Sequence, residues 1–345
     1  MNRILIIAPN WIGDAVMSQP LMADLKARYP DSKMDVLASP WVAPIYQACT
    51  EVNQVIEAKL EHKKLQWSLR KQLAKQLEKE QYEACFVLPN SLKSGLIPWL
   101  ANIPLRIGYR GEMRFGLINV AFDNPRKQNR PPMAEHYLAL GGALDAFKVQ
   151  SSHSANPILN VSTHAKQTVI AKLAQAGIDQ KSIYVFCPGA EYGSTKRWPT
   201  DHFANLAKQL IASRPEAQII LLGSPADHAL ADHIQAQASH HPQLHNWCGK
   251  TQLDEAIALI GMSKTLISND SGLMHIGAAL KVPQVAIFGS SDPNHTPPLS
   301  ERAKVIWLNL PCSPCHQRVC PLGHLKCLKE ISPQAVLTAI QTLES

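Results

Sequence analysis

Short apolar runs alternate with longer amphipathic ones along this chain, and the two periods predict strands followed by helices. In the first half, residues 4–8 form a continuous apolar run of strand length. Residues 16–29 follow with Leu21 and Leu25 at helical spacing and predict one helix. Residues 34–38 and 84–88 predict further strands, and 106–109 a short one. Residues 67–79 carry Leu69, Leu73 and Leu77 every four positions on a charged background, which predicts an amphipathic helix. Pro89, Asn90 and Ser91 break the pattern before a helix holding Leu96, Ile97, Trp99 and Leu100. A polar loop at 123–132 precedes an apolar helix at 134–147, and the aperiodic stretch 148–163 is the expected link between domains. The alternation then restarts, with strands at 183–187, 218–222, 265–268 and 284–288 and a helix at 203–212. Strands that are apolar throughout, rather than at every second position, belong to parallel sheets covered on both faces. The expected fold is α/β: two Rossmann-like, doubly wound domains, 1–155 and 156–345, facing a central cleft.

The length of 345 residues suits two domains, and 46% hydrophobic with 18% charged residues excludes global disorder. The first apolar run is too short for a signal peptide and ends in Pro9–Asn10, and no stretch approaches the ~18 apolar residues of a spanning helix. A cytoplasmic chain acting as a monomer is expected. The formal net charge is +7, and residues 1–150 hold 19 Lys and Arg against 14 Asp and Glu, so the basic excess sits in the first half. Anionic partners are implied: nucleic acid, a phosphorylated small molecule or an anionic lipid surface. No helix-turn-helix, zinc-finger or RNP-like pattern is present, which removes support for sequence-reading of nucleic acid. Of eight cysteines, Cys49, Cys85, Cys187 and Cys248 read as core fillers, whereas Cys312, Cys315, Cys320 and Cys327 cluster in a segment at 312–327. In a reducing compartment that cluster is either a compact metal knuckle or a set of free or transiently oxidised thiols, and the irregular spacing favours the latter.

Three segments carry candidate chemistry. Asp14 lies where a strand, Ile4–Leu5–Ile6–Ile7–Ala8, turns through Pro9–Asn10–Trp11–Ile12–Gly13 into a helix. A carboxylate there projects toward the crevice at the carboxyl end of an open α/β sheet and can act as a general base. Its simpler alternative is a cap on a helix beginning at Ala15. Beyond the strand at 183–187, the loop from Gly189 to Pro199 holds Thr195, Lys196 and Arg197, a hydroxyl and two cations able to bind a diphosphate; a solvated surface loop is the alternative. It lacks the Gly-Lys-Ser/Thr order of a Walker A loop. In Asn269–Asp270–Ser271–Gly272, Ser271 and the open amides at a helix start can hold phosphate, and Gly272 permits close approach. Asp270 must be hydrogen-bonded to its loop or turned toward sugar hydroxyls, and the second is favoured. His275, one turn along, either reaches the same ligand or is a satisfied histidine between helix and sheet.

Together the segments Asn10-Trp-Ile-Gly-Asp14, Gly189 through Trp198-Pro199, and Asn269-Asp-Ser-Gly-Leu-Met-His275 resemble the signatures of the ADP-heptose:lipopolysaccharide heptosyltransferases, glycosyltransferase family 9, over essentially the full chain. The Trp11–Ile12 pair and the Cys312…Cys327 tail resemble the heptosyltransferase II subgroup more than heptosyltransferase I. The resemblance implies a GT-B architecture with the acceptor on the first domain and ADP-heptose on the second. It implies inverting transfer of L-glycero-D-manno-heptose from ADP-heptose to the first heptose of heptosyl-Kdo2-lipid A, with no metal or other cofactor in catalysis. By the same resemblance Asp14 is the general base, and Thr195 and Lys196 are diphosphate ligands. Asp270, Ser271 and Gly272 line the donor pocket, and Asp227, after the turn Gly223–Ser224–Pro225, is the candidate for the ribose. Arg106, Arg110 and Arg114 are candidates for an anionic acceptor, unless they are simply a solvated basic surface. Trp99 and Leu100 allow peripheral contact with the inner face of the inner membrane. Heptosyltransferase I, a later heptosyltransferase and a non-catalytic nucleotide- or anion-binding protein are the alternatives.

Overall fold

The computed structural model describes residues 1–61, 64–126, 130–147 and 154–345. The chain divides into two compact units, Met1–Asn160 and Val161–Ser345. Unit 1 contains β1 (Arg3–Ile7), β2 (Lys33–Ala38), β3 (Gln54–Glu57), β4 (Ala84–Val87), β5 (Leu105–Tyr109) and β6 (Val120–Phe122), in the spatial order β3-β2-β1-β4-β5-β6. Unit 2 contains β7 (Ile183–Cys187), β8 (Gln218–Leu221), β9 (Leu244–Asn246), β10 (Thr265–Asn269), β11 (Gln284–Ile287) and β12 (Ala303–Ile306), in the order β12-β11-β10-β7-β8-β9. Every pairing is parallel; Ile4, for example, lies opposite Met34 on one side and Ala84 on the other. Each unit is therefore a doubly wound sheet of the Rossmann order, as expected.

The central strands β4, β7 and β10 are buried at every residue, which explains their near-continuous apolar runs. The four strands missing from the expected set, β3, β6, β9 and β12, are the four sheet edges. They are three or four residues long, and β3, β6 and β12 are partly or fully exposed throughout while β9 has two of three residues buried, so none carries a strong apolar run.

Two expected helices are divided. The helix expected at 16–29 is two, Ile12–Met17 and Gln19–Arg28, with Ser18 between them. Pro20 stands in the first turn of the second and has no N–H to continue the ladder of the first. The apolar stretch 134–147 is an α-helix, Met133–Leu138, that tightens into a 3-10 helix, Ala139–Phe147, across the pair Gly141–Gly142. Residues 127–129 of the expected polar loop and 148–153 of the expected linker lie outside the described residues. Residues beyond the linker are tied to unit 1: the Ile158 amide donates to Gln19 Oε1 at 2.9 Å and the Asn160 amide to the Ala48 carbonyl at 2.8 Å.

A buried polar knot fixes the β2–β3 side of unit 1. Asp35 on β2 is fully buried and accepts from Tyr82 Oη at 2.6 Å, Asn53 Nδ2 at 2.8 Å, Gln54 Nε2 at 3.0 Å and Arg3 Nη2 at 3.3 Å. Burial alone would raise its pKa; the four donors outweigh that and hold the carboxyl below its usual 3.8. Asp35→Ala strands these donors, so it should lower unfolding free energy in urea by about 3 kcal/mol with an unchanged m-value. In the wild type the contribution is present above the ordinary carboxylate pKa. It fades as pH falls through the lower folded value.

Candidate active site

In unit 1 the chain leaves β1 through Pro9 and enters the helix Ile12–Met17 with Trp11 as N-cap. Asp14 is therefore not the residue before a helix beginning at Ala15. It stands in the first turn, where a negative charge is favoured by the helix dipole, and is half-buried. The buried phenol of Tyr137 is hydrogen-bonded to it. Burial, with the Asp14 charge added, pushes the Tyr137 pKa well up, so Tyr137 stays protonated and donates. Tyr46, also near Asp14 and raised mainly by burial, lies 3.1 Å from Ser18 Oγ. Exposed Trp11 and Trp41 stand beside this turn, and Trp41 Nε1 donates to the Asn10 carbonyl at 2.9 Å. Tyr137, Tyr46 and Trp41 were not singled out by sequence; they come from separate segments, and nothing local marks them.

Of the three arginines expected to face an anionic acceptor, two turn inward. Arg106 donates to the carbonyls of Ile103, Leu117 and Gly116, and Arg114 is buried with bonds to Tyr109, Pro89, Ser94 and Asn90. Both brace the turns around β5. The third, Arg110, is exposed and pairs with Asp123 at 2.6 Å.

In unit 2 the loop after β7 is clasped at both ends by one buried side chain. Asn269, at the end of β10, donates from Nδ2 to the Pro188 carbonyl at 2.8 Å and accepts the Trp198 amide on Oδ1 at 3.0 Å. Lys196 sits on the short 3-10 turn Ser194–Lys196 and pairs with Asp270 Oδ2 at 2.6 Å. Ser291 Oγ donates to the same carboxylate oxygen. Asp270 is thus held by Ser291 and the lysine, the first of the two arrangements weighed from sequence; the favoured one turned it toward sugar hydroxyls. Lys196 also lies 5.3 Å from the Tyr192 ring centroid and lines a pocket of about 140 Å³ with Ser290, Ser291 and His295. Ser290 and Ser291 follow β11 much as Ser271 follows β10. Hydroxyls directly after an apolar strand were a readable signal there too.

Thr195, expected to touch diphosphate, is fully buried; its hydroxyl donates to the Gln317 carbonyl and accepts from Ser290 Oγ at 3.1 Å. It fixes the Lys196 turn rather than presenting an oxygen to a ligand. The cysteine-rich segment supplies the other half of that brace. Tyr192 Oη donates to the His316 carbonyl at 2.7 Å, and a Cβ on Gly193 (φ +152°) would lie 2.5 Å from the Arg318 carbonyl. Cys312, Cys315, Cys320 and Cys327 carry free thiols. Backbone amides led by that of Leu325 hold the Cys320 thiol below its usual range. Burial pushes Cys327 up, helped by charge on the other three cysteines. Among the described residues no group of three His, Cys, Asp or Glu is arranged to hold a metal.

Ser271 is the N-cap of the helix Gly272–Ala279, its backbone extended and its hydroxyl 3.2 Å from Ser268 Oγ. The first amides of that helix, from Gly272 onward, have no intrahelical acceptor. Asp227 caps its own turn, accepting from the Ser224 amide at 2.9 Å and Ser224 Oγ at 2.7 Å. Its carboxylate also packs on Gly189, where an added Cβ would come within 2.5 Å. The β7 and β8 connections therefore touch through Asp227. His275 is buried, and burial lowers its pKa to about 4; Asp270 opposes the shift and Lys196 adds to it. The imidazole is neutral in the working range, so an NMR titration of its ring should show no inflection between about pH 5 and 8, where an unperturbed histidine titrates. The unfolded chain binds this proton before the fold does, so His275 makes stability fall as pH drops from the ordinary histidine pKa toward about 4.

The comparisons with known proteins agree along the chain. A family model described as glycosyltransferase family 9 (heptosyltransferase) matches residues 70–326. The chain is 42% identical over 352 residues to lipopolysaccharide heptosyltransferase 2 of Salmonella typhimurium, covering 99% of each. It is 40% identical over 350 residues to the enzyme of the same name from Escherichia coli, covering 99% of this chain and 98% of the other. Its fold matches the solved E. coli ADP-heptose lps heptosyltransferase II with a TM-score of 0.83 at 39% identity, over 100% of this chain and 98% of that one.

Proposed function

The chain belongs to glycosyltransferase family 9, the heptosyltransferases, and from that premise we propose that it transfers L-glycero-D-manno-heptose from ADP-heptose to the first heptose of the lipopolysaccharide inner core. The observation that carries the reading is Lys196, held by Asp270 from the end of β10 and lining a pocket formed by the loops that follow β7 and β11. A departing ADP gains charge on its diphosphate as the glycosidic bond breaks. Lys196, exchanging Asp270 for phosphate, and the open amides from Gly272 take up that charge. Thr195 contributes by position, through the turn it fixes. Asp227 meets the ribose hydroxyls through Oδ1, and Asp270, Ser271 and His275 complete the donor pocket.

Asp14 takes the proton from the acceptor hydroxyl as its oxygen attacks the anomeric carbon from the side opposite ADP, which inverts the centre. Tyr137 holds the carboxylate in place by donating to it. Trp11 and Trp41 offer apolar faces on which acceptor sugar rings can stack, and exposed Arg110 offers a cation to the anionic Kdo region. The acceptor is lipid-linked, so the enzyme works at the cytoplasmic face of the inner membrane, docked rather than inserted. No helix among the described residues is long and apolar enough to cross a membrane. Assignment to the second heptose rests on the names shared by the similar full-length relatives.

Asp14→Asn should lower turnover by about 10²–10⁴-fold while leaving ADP-heptose affinity, measured by calorimetry, nearly intact. Lys196→Ala should weaken donor binding and also lower turnover by about 10²–10³-fold. Asp14→Asn working at the wild-type rate would remove the base from this scheme.

A further inference from the structure

In the turn after β5, apolar and cationic side chains alternate between outward and inward positions. Met113 and Phe115 are 81% and 82% exposed, while Arg114 between them is 3% exposed and held by bonds to Tyr109, Pro89, Ser94 and Asn90. Glu112 and Met113 adopt left-handed backbone (φ +28° and +48°), and Gly111 sits so close to Asn90 that a Cβ would lie 2.6 Å from its carbonyl oxygen. The two apolar side chains are thus presented by a fixed tip. Glu112 Oε2 accepts the Leu92 amide at 2.9 Å, which sets exposed Leu92 beside it. Lys93 Nζ reaches the Lys64 carbonyl at 3.3 Å, and Arg70 bonds the carbonyls of both Leu65 and Lys93, which adds exposed Leu65 and Trp67.

We propose that this tip docks unit 1 onto an anionic phospholipid surface, seating Met113 and Phe115, with Leu92 and Leu65 behind them, at the headgroup–acyl boundary. Segments 64–71, 92–95 and 110–117 contain six Lys and Arg and a single carboxylate, Glu112. Lys64 and Arg110 also pair with Glu61 and Asp123 from outside these segments. Buried Arg70 and Arg114 are taken up by backbone carbonyls, Ser94 and Asn90, and Glu112 acts electrostatically on Arg114, so the surface charge of the patch comes from Lys64, Lys71, Lys93 and Arg110. Exposed apolar side chains beside Lys64, Lys71, Lys93 and Arg110 fit an anionic bilayer, where the apolar groups enter the interface and these four surface cations, not the buried arginines, meet lipid phosphates. The choice of a bilayer rests on the proposed lipid-linked acceptor. The site differs from Trp99 and Leu100, to which the sequence pointed.

The test is co-sedimentation of the full chain with phosphatidylglycerol-rich vesicles, comparing wild type with Met113→Ser/Phe115→Ser and checking the fold by thermal melting. The double variant should bind at least tenfold more weakly and melt like the wild type, and wild-type binding should drop at least tenfold on neutral phosphatidylcholine vesicles. Heptose transfer by the variant should fall on vesicle-embedded acceptor and stay unchanged on the same acceptor freed of its acyl chains. Equal sedimentation of variant and wild type would overturn the proposal. So would equal binding to neutral vesicles, or a variant whose only change is loss of self-association. A wild type that binds vesicles through this tip but transfers heptose to neither acceptor would sink the proposed function and leave the docking supported.

Discussion

A parallel sheet wound in both directions from its first strand sends adjacent connections to opposite faces at only one place, and in each unit the polar site residues collect there. In unit 1 that place lies between β1 and β4, and in unit 2 between β7 and β10. Asp14 follows β1; the Lys196 loop follows β7; Asp270 and Ser271 follow β10. Central strands buried on both faces leave few positions for polar groups except their carboxyl ends. The sheet order thus decides where chemistry can occur, and the loops decide which chemistry it is.

Holding a cation at the proposed phosphate site raises a second constraint. A half-buried ammonium needs a partner, and Asp270 supplies it at 2.6 Å. The turn bearing Lys196 has little regular structure of its own, so it is fixed from outside by Asn269 at its base, Thr195 at its centre and the backbone of residues 316–318 at its tip. The cysteine-rich segment therefore has a physical role: it is the wall against which the Lys196 loop is built. Neutral His275 beneath Asp270 and Lys196 fits the same scheme, because a second buried cation there would compete with the lysine for one carboxylate.

The interior strands were readable because they are mostly continuous apolar runs, and the strands that were missed are the edges. At β3, β6 and β12 the strand is open to solvent, and β9 is only three residues long, so the sequence reads as loop. Pro20 announced the division of the helix at 16–29, but apolar spacing continues across it and hides the break. At the site, the residue types and their positions after strands were legible, and Lys196 and Asp270 do meet. Side-chain direction was not. Arg106, Arg110 and Arg114 are chemically equivalent in sequence, yet carbonyls of turns distant by ten or more residues draw the first and last inward. Thr195 is buried for the same kind of reason, since Gln317 is 122 positions away. Tyr137 reaches Asp14 from a helix more than a hundred residues later, a contact that no local pattern encodes.

Family membership gives a heptosyltransferase, and the acceptor decides whether the proposed step is the right one. The direct measurement is ADP release from ADP-heptose by the wild-type protein, with heptosyl-Kdo2-lipid A, with Kdo2-lipid A, and with no acceptor. Release that is fast only with the heptosylated acceptor, accompanied by one added heptose, is the predicted result. Release indifferent to acceptor, or faster with Kdo2-lipid A, would contradict it.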